Sequence, residues 1–197
     1  MPSEWKKTSI YGCFFREIPS HSDIRGTISK LHGKIQDRGK LPSIIQWSET
    51  IQTESQAGVI RGLHVPNGSK KGWKLSSCVS GKVNDVLLDL RSDSPTYLKS
   101  ESRKLTPGKI QVLVAPGVAH GIESINNSII TYFTELTFED AKEVSIDPSV
   151  LDLWEVPQME RLISSKDQNG ISDLNKIGFS FSLLNEIREI VKEVENI

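Results

Sequence analysis

The sequence predicts an all-β fold, a jelly roll of two antiparallel sheets, with one α-helix at its C-terminal end. Short strand-like segments follow one another at even spacing through the middle of the chain, turn-forming residues separate them, and no helical period intervenes. The 197 residues fit one domain, and 24 Lys and Arg side chains balance 25 Asp and Glu side chains. A chain of this length and charge balance can fold and bury a sizeable core.

The predicted strands lie between Ala57 and Leu136, and turns that contain proline or glycine separate them. Pro66-Asn67-Gly68 and Ala115-Pro116-Gly117 are examples, since these residues favour the backbone angles of turns. The sequence predicts strands over residues 58–65, 73–79, 82–90, 97–105, 110–114, 121–125 and 129–136. A further short strand is expected around residues 10–18, followed by an irregular, polar stretch that continues to Gly39.

The C-terminal residues predict one amphipathic helix over residues 182–195. Apolar side chains recur there at helical spacing, with Glu, Lys and Arg between them, at Leu183, Leu184, Ile187, Ile190, Val191 and Val194. We expect this helix to pack on the domain or on a partner subunit. The expected organisation is a jelly-roll domain over residues 1–175, with the helix appended to it in residues 176–197.

Composition argues against several functional classes. With a sequence pI near 6.4, the chain has no basic excess to neutralise phosphates, so nucleic-acid binding is not expected. The apolar run over residues 10–15 is far shorter than a membrane span, and no cleavage site for a signal peptide follows it. Cys13 and Cys78 form no CxxC pair and are expected to be reduced, buried thiols of a cytoplasmic protein.

Polar residues interrupt the strand pattern at four places, and each alone has an ordinary structural explanation. The four places are Arg61-Gly62-Leu63-His64, Lys74, Asp85 with Asp89, and Gly117-Val118-Ala119-His120-Gly121. A catalytic metal site needs about three ligands, commonly two from one short motif. His64 has no HxH partner and His120 has only Glu123 nearby, so no metal is expected. A histidine without a metal can transfer protons, best with a carboxylate that fixes its tautomer.

A longer series of segments matches one known family in order. The segments are Asp23-Ile24-Arg25-Gly26, Gly58-Val59-Ile60-Arg61-Gly62-Leu63-His64, Lys74-Leu75, Gly81-Lys82-Val83-Asn84-Asp85-Val86-Leu87-Leu88-Asp89-Leu90-Arg91, Ser94-Pro95-Thr96, Pro116-Gly117-Val118-Ala119-His120-Gly121, Tyr132 and Ser165-Lys166-Asp167-Gln168. Through these segments, which span about residues 10–170, the chain resembles the dTDP-4-dehydrorhamnose 3,5-epimerase family.

The resemblance implies a cupin-type jelly roll, or double-stranded β-helix, that forms homodimers. It implies an epimerase that inverts C3, C5 or both in a nucleotide diphosphate-linked 4-keto-6-deoxyhexose, in deoxysugar or surface polysaccharide biosynthesis. Such an enzyme uses no metal or organic cofactor, and its partner is the nucleotide sugar. Two alternatives stay open: a non-catalytic cupin that binds a sugar nucleotide, and a metal-dependent cupin oxygenase or isomerase.

The resemblance also implies roles in proton transfer. His64 is expected to be the general base, Asp167 the carboxylate that hydrogen-bonds it, and Tyr132 the acid on the opposite face of the sugar. Lys74 is expected to lie near the C4 oxygen, where its charge would stabilise the enolate formed when a proton leaves C3 or C5.

Further matched positions are expected to bind the substrate. They are Arg25 and Arg61 near the diphosphate, Phe138 against the nucleotide base, Glu143 at the pocket rim, and Asp85, His120, Lys166 and Gln46 elsewhere around the pocket. Phe138 stands where the family has a tyrosine, so it keeps the aromatic face and loses the hydroxyl. Because the family exchanges N-terminal strands between subunits, Arg25 is expected to act in the neighbouring pocket.

Arg61 and His64 lie three residues apart, and both are expected to reach the pocket. In an ideal strand, residues three apart face opposite sides of the sheet. The sequence therefore predicts a bend or bulge at Gly62 that turns one of the two side chains toward the other.

Overall fold

The computed structural model describes residues 4–31, 45–67, 72–177 and 184–195. Its strands are β1 (Lys6–Lys7), β2 (Phe14–Glu17), β3 (Ser20–Asp23), β4 (Gly26–Ser29), β5 (Glu49–Ser55), β6 (Val59–Val65), β7 (Lys74–Ser80), β8 (Val83–Asp89), β9 (Ser100–Leu105), β10 (Ile110–Val114), β11 (Val118–Ser124), β12 (Ser128–Thr134), β13 (Val144–Ser145) and β14 (Leu162–Ile163). Its α-helices are α1 (Phe138–Ala141), α2 (Ser165–Gln168) and α3 (Leu184–Glu195), and short 3-10 helices cover Pro148–Val150, Gln158–Glu160 and Leu174–Lys176.

Most strands belong to two antiparallel sheets that face each other. The first sheet has the order β1-β2-β10-β7-β12-β5, and the second has the order β13-β6-β11-β8-β9. β14 pairs with β6 in parallel, and β3 and β4 form a separate hairpin. From β10 to β12 successive strands alternate between the two sheets, as they do in a jelly roll. The predicted fold class is confirmed.

Strand β8 shows how the core is divided. All of its residues are buried, with Leu87 in a core cluster shared by both sheets and Val86 and Leu88 in a second cluster. Because alternate residues of a strand point to opposite faces, β8 is covered on both sides. The second cluster also contains Ile146 and Trp154, which places the chain after β12 over the outer face of the second sheet.

Helix α3 packs on its own chain. The sequence predicts that the helix begins at residue 182. Residues 182 and 183 lie outside the described ranges, and the helix is described from Leu184. The side chains of Ile187 and Ile190 are buried in the cluster that also holds Leu75 and Leu113, so the predicted helix is confirmed. We propose that helix α3 is appended to the jelly-roll domain of residues 1–175. No helix in the described ranges is long and apolar enough to cross a membrane.

Several segments differ from the sequence prediction. The hairpin of β3 and β4 is not predicted, and neither is β5, whose residues are mostly polar and which pairs with β12 along its whole length. The strand predicted over residues 97–105 begins at Ser100, because a turn in which the Lys99 amide donates to the Thr96 carbonyl precedes it. Part of the irregular stretch predicted up to Gly39 lies outside the described residues.

Candidate active site

A cavity of about 390 Å³ opens between the two sheets, and both sheets contribute side chains to it. His64 on β6 and His120 on β11 reach it from the second sheet. Lys74 on β7 and Tyr132 on β12 reach it from the first sheet. A ligand held between the sheets would therefore present one face to the histidines and the other to the tyrosine and lysine.

Strand β6 contains the predicted irregularity. His64 pairs with His120 and Arg61 pairs with Ile122, so three steps along β6 match two steps along β11. Gly62 has a φ of 97°, and a Cβ at this position would lie 2.6 Å from the His120 carbonyl oxygen. Only glycine fits such a backbone, and the resulting bulge brings Arg61 and His64 to the same cavity. The prediction of a bend at Gly62 is confirmed.

His64 is paired with a carboxylate from the C-terminal part of the chain. Its Nε2 atom lies 2.6 Å from Oδ1 of Asp167, and the backbone N–H of Gly62 donates to Oδ2 at 3.3 Å. Asp167 lies in helix α2, whose N-cap residue Ser164 accepts a hydrogen bond from the Asp167 amide. Burial alone would raise the pKa of Asp167, but the hydrogen bond from His64 and the charge of that ring outweigh it, so the pKa is lowered.

Glu143 lies between His64 and Lys74. Its Oε1 is 3.3 Å from the Lys74 Nζ atom, and its Oε2 is 3.5 Å from Nδ1 of His64, which is longer than a hydrogen bond. Burial acts to raise the pKa of Glu143, but the nearby charges of Lys74 and His64 lower it below its usual value. Because Nε2 of His64 is hydrogen-bonded to Asp167, Nδ1 is the ring nitrogen that is available to accept a proton.

A second histidine–carboxylate pair lies deeper between the sheets. Nε2 of His120 is 2.8 Å from Oδ2 of Asp85, which also accepts a hydrogen bond of 2.9 Å from the Ser76 hydroxyl. His120 lines the cavity and Asp85 does not. The His120 ring packs edge-on against Tyr132, with ring centroids 6.1 Å apart.

Tyr132 is held in its protonated form. Burial is the main cause that raises its pKa above the usual value, and the charge of Asp85 acts in the same direction. The Lys74 Nζ atom lies 5.9 Å from the centroid of the Tyr132 ring. The raised pKa keeps the phenol protonated, and the nearby ammonium group would stabilise the phenolate that remains after the phenol donates its proton.

Three of the expected substrate-binding residues line the mouth of the cavity: Arg61, Phe138 and Lys166. The guanidinium of Arg61 donates to the Ser55 hydroxyl and to the Glu54 carbonyl. Phe138 begins helix α1 and is 65% exposed, so its ring is available for stacking.

The structure does not bring Arg25 and Gln46 to the cavity of the same chain. Arg25 lies at the tip of the β3–β4 hairpin, where it pairs with Asp23 and its side chain is 80% exposed. Gln46 is exposed and is not among the described residues that line the cavity.

Two residues of the site, Ser76 and Ser145, have no signal in the sequence. Both are buried serines whose hydroxyls donate to the carboxylates of the two histidine pairs, Ser76 to Asp85 and Ser145 to Asp167. Neither contact follows from spacing along the chain, because each joins residues on different strands or helices. The alternation of side chains along strand β7 indicates only that Ser76 lies on the same face of the sheet as Lys74.

The geometry is that of an acid–base site with a cation. His64 faces Tyr132 across the cavity, and Lys74 lies beside them. No group of three or more His, Cys, Asp or Glu side chains is arranged to hold a metal within the residues that the structure describes. Together, a base, an acid and a cation can remove and return a proton next to a carbonyl group.

Fold and site define a class of protein, a jelly roll whose cavity carries groups for proton transfer beside a carbonyl. Residues 7–173 match the family model described as dTDP-4-dehydrorhamnose 3,5-epimerase. The chain belongs to this family, and its fold is the cupin-type double-stranded β-helix that the resemblance implied.

Relatives match over most of their length. The dTDP-4-dehydrorhamnose 3,5-epimerase of Streptomyces griseus is 28% identical over 179 residues, which cover 86% of this chain and 88% of that protein. The enzyme of the same name from Methanothermobacter thermautotrophicus is 29% identical, with 83% and 90% covered. The crystal structure of dTDP-4-dehydrorhamnose 3,5-epimerase from Elizabethkingia anophelis NUHP1 is 28% identical and superimposes with a TM-score of 0.79, covering 90% of this chain and 100% of that chain.

Proposed function

We propose that this protein is an epimerase that inverts C3, C5 or both in the sugar of a dTDP-linked 4-keto-6-deoxyhexose. One observation carries the proposal. The His64–Asp167 pair on one wall of the cavity faces the protonated Tyr132 on the other, with Lys74 beside them. Inversion at carbon needs a base and an acid on opposite faces of the ring, and the two sheets supply one each.

The first step is removal of a proton. Both C3 and C5 are acidified by the C4 carbonyl between them. Nδ1 of His64 takes the proton, and the electron pair of the C–H bond moves toward C4 to form an enolate. Asp167 stabilises the imidazolium through Nε2, and the Lys74 ammonium stabilises the enolate oxygen.

The second step is return of a proton from the opposite face. The phenol of Tyr132 donates to the carbon, the C=C bond of the enolate gives up its electron pair, and the C4 carbonyl re-forms. Lys74 lies beside the ring of Tyr132 and would stabilise the phenolate. The imidazolium of His64 then releases its proton to solvent and the phenolate takes up a proton from solvent, which restores the site. Only protons move in these steps, so the proposed reaction needs no metal and no organic cofactor.

The mouth of the cavity would bind the nucleotide. Arg61 and Lys166 supply positive charge for the diphosphate, and Phe138 supplies an aromatic face for the base. Glu143 lies 3.3 Å from the Lys74 ammonium. Substrate would therefore compete with this carboxylate for the ammonium group. A binding protein without catalysis would not require a base and an acid on opposite walls.

We also propose that the protein acts as a homodimer. The β3–β4 hairpin carries Ile24 and Ile28, which are 104% and 68% exposed, and Arg25 lies at its tip. Two exposed isoleucines on a projecting hairpin would be buried if the hairpin crossed to a second copy of the chain. Arg25 would then approach the diphosphate in the partner's cavity.

A cytoplasmic location is proposed as well. Cys13 and Cys78 are free and buried, as expected in a reducing compartment. Burial raises the pKa of Cys13 to about 12 and that of Cys78 to about 11, so both thiols are protonated and unreactive. Cell fractionation tests the location, and recovery of the protein mainly outside the cytoplasm would contradict it.

Incubation of the purified protein with dTDP-4-keto-6-deoxyglucose tests the proposed activity. Proton NMR should show new sugar signals with the configuration inverted at C3, C5 or both. The UDP-linked sugar serves as a comparison for the nucleotide preference. A substrate spectrum that stays unchanged with both nucleotides would overturn the proposal.

A further inference from the structure

We propose that Ser145 is a positioning residue that holds the carboxylate of Asp167 in place for His64. The proposal rests on the proposed function, because it assigns Ser145 to the base of that reaction. Oδ1 of Asp167 accepts two hydrogen bonds, one from the Ser145 hydroxyl at 3.1 Å and one from Nε2 of His64 at 2.6 Å. Ser145 is 9% exposed, so this contact is shielded from water.

The pairing of β13 with β6 places Ser145 beside His64. The two residues are direct partners in this antiparallel pair, and partners in such a pair extend their side chains to the same face of the sheet. Helix α2 then brings Asp167 to both of them. The three side chains therefore meet although they come from three separate elements.

The backbone of Ser145 is fixed independently of Asp167. Its carbonyl accepts a hydrogen bond of 2.9 Å from the Ile171 amide, and the amide of the next residue, Ile146, donates to the Leu63 carbonyl at 2.9 Å. A Cβ on Gly170 would lie 2.9 Å from the Ser145 carbonyl oxygen, so the chain that follows α2 packs directly on β13. The hydroxyl is thus presented from a fixed strand.

Asp167 needs such a support. It lies in a helix of four residues, and the Gly62 amide reaches its other oxygen at 3.3 Å, which is long for a hydrogen bond. Without the Ser145 hydroxyl, His64 would be the remaining hydrogen-bond donor to Oδ1 among the described residues. The carboxylate could then rotate, and the tautomer and orientation of His64 would no longer be fixed by it.

The kinetic test compares Ser145→Ala, Ser145→Thr and the control Ser124→Ala. Ser124 is also a buried strand serine, and its hydroxyl contacts Ser128 outside the cavity. Ser145→Ala should lower kcat about tenfold with little change in KM, because orientation of the base affects the proton transfer and not the binding. Ser145→Thr keeps the hydroxyl and should restore most of kcat, whereas the control should keep wild-type kcat.

A double-mutant cycle shows whether Ser145 acts through Asp167. The loss caused by Ser145→Ala should disappear when Asp167→Asn is already present, since the carboxylate that it positions is gone. An equal loss in both backgrounds, or a change confined to KM, would overturn the proposal. This comparison does not depend on the threonine variant folding.

The ring nitrogens of His64 give a readout that does not depend on turnover. At a pH at which the ring is neutral, ¹⁵N NMR of wild type should show the ring proton on Nε2, and Ser145→Ala should show a mixture of the two tautomers. An unchanged spectrum in Ser145→Ala would overturn the role of Ser145. A changed spectrum in a protein that does not turn over the sugar would instead contradict the proposed function alone.

Discussion

His64 and Asp167 form a hydrogen-bonded pair, with Nε2 2.6 Å from Oδ1, although 103 positions separate them in the chain. The pair exists because β14 lies alongside β6 in parallel and leads directly into helix α2. The base is therefore assembled from the middle and the C-terminal part of the chain. Any substitution that displaces β14 should therefore move Asp167 and disturb its hydrogen bond with His64.

Replacement of Lys74 tests the stabilisation of the enolate. Lys74→Gln should lower kcat by about 10²–10³-fold, the usual loss when one donor to a developing oxyanion is removed. Lys104→Gln is the matched control, because Lys104 is an exposed residue whose ammonium pairs with Glu155. Steady-state kinetics with both variants check this, and equal kcat values in the two variants would refute the role of Lys74.

Tyr132→Phe should separate proton removal from proton return. His64 can still take a proton from the substrate, so exchange with solvent should continue, while formation of the epimer should fall by about 10²-fold or more. The ratio of deuterium wash-in to epimer formation measures this separation. Tyr97→Phe, which changes a tyrosine that does not line the cavity, is the control. Parallel loss of exchange and epimer in Tyr132→Phe would show that the phenol is not the acid.

The buried pair of Asp89 and Arg91 should govern stability toward acid. Burial alone would raise the pKa of Asp89, but hydrogen bonds from Arg91, Ser94 and Thr96 lower it below its usual value. The stabilisation is therefore complete above the unfolded-state pKa of about 4 and is lost as the pH falls through the lower folded-state value.

Asp89→Asn should accordingly cost about 3–5 kcal/mol at neutral pH, because it leaves the Arg91 guanidinium buried without its anion. The difference from wild type should shrink below about pH 4. Denaturant unfolding at several pH values measures it, with the exposed Asp93→Asn as control. A difference that is the same at all pH values would contradict the assignment.

Complementation tests the exchange of the N-terminal hairpin. Arg25→Ala and His64→Asn should each be impaired as pure dimers. In a mixed dimer, the site that keeps its own His64 would receive Arg25 from the other chain. Unfolding the two variants, mixing them and refolding them together should therefore restore part of the activity. Activity equal to the average of the two pure variants, or a monomer at micromolar concentration, would contradict the proposed dimer.

The jelly roll could be predicted because its strands carry strong local signals. Turn residues separate strand segments with apolar residues such as Val86-Leu87-Leu88 in β8, and the helical spacing of Ile187 and Ile190 predicts α3. Strand β5 lacks such a signal, since its polar residues become a strand only through pairing with β12.

The site was predictable only in part. The bulge at Gly62 could be predicted because the family resemblance assigns both Arg61 and His64 to the pocket, although the two residues have opposite parity along the strand. The assignment of Asp167 follows from the family resemblance and not from the spacing of residues along the chain. Ser145 has no sequence signal, since its contact with Asp167 depends on how β13 and α2 are placed against β6.

Deuterium incorporation tests the central claim, that His64 removes a proton beside the C4 carbonyl. Wild type and His64→Asn are incubated with dTDP-4-keto-6-deoxyglucose in deuterated water, and label at C3 and C5 is followed by NMR, with thermal unfolding of both proteins as the check on folding. We predict label at C3, C5 or both with wild type, and none above the uncatalysed background with a folded His64→Asn variant. Equal labelling by the two proteins would contradict the assignment of His64 as the base.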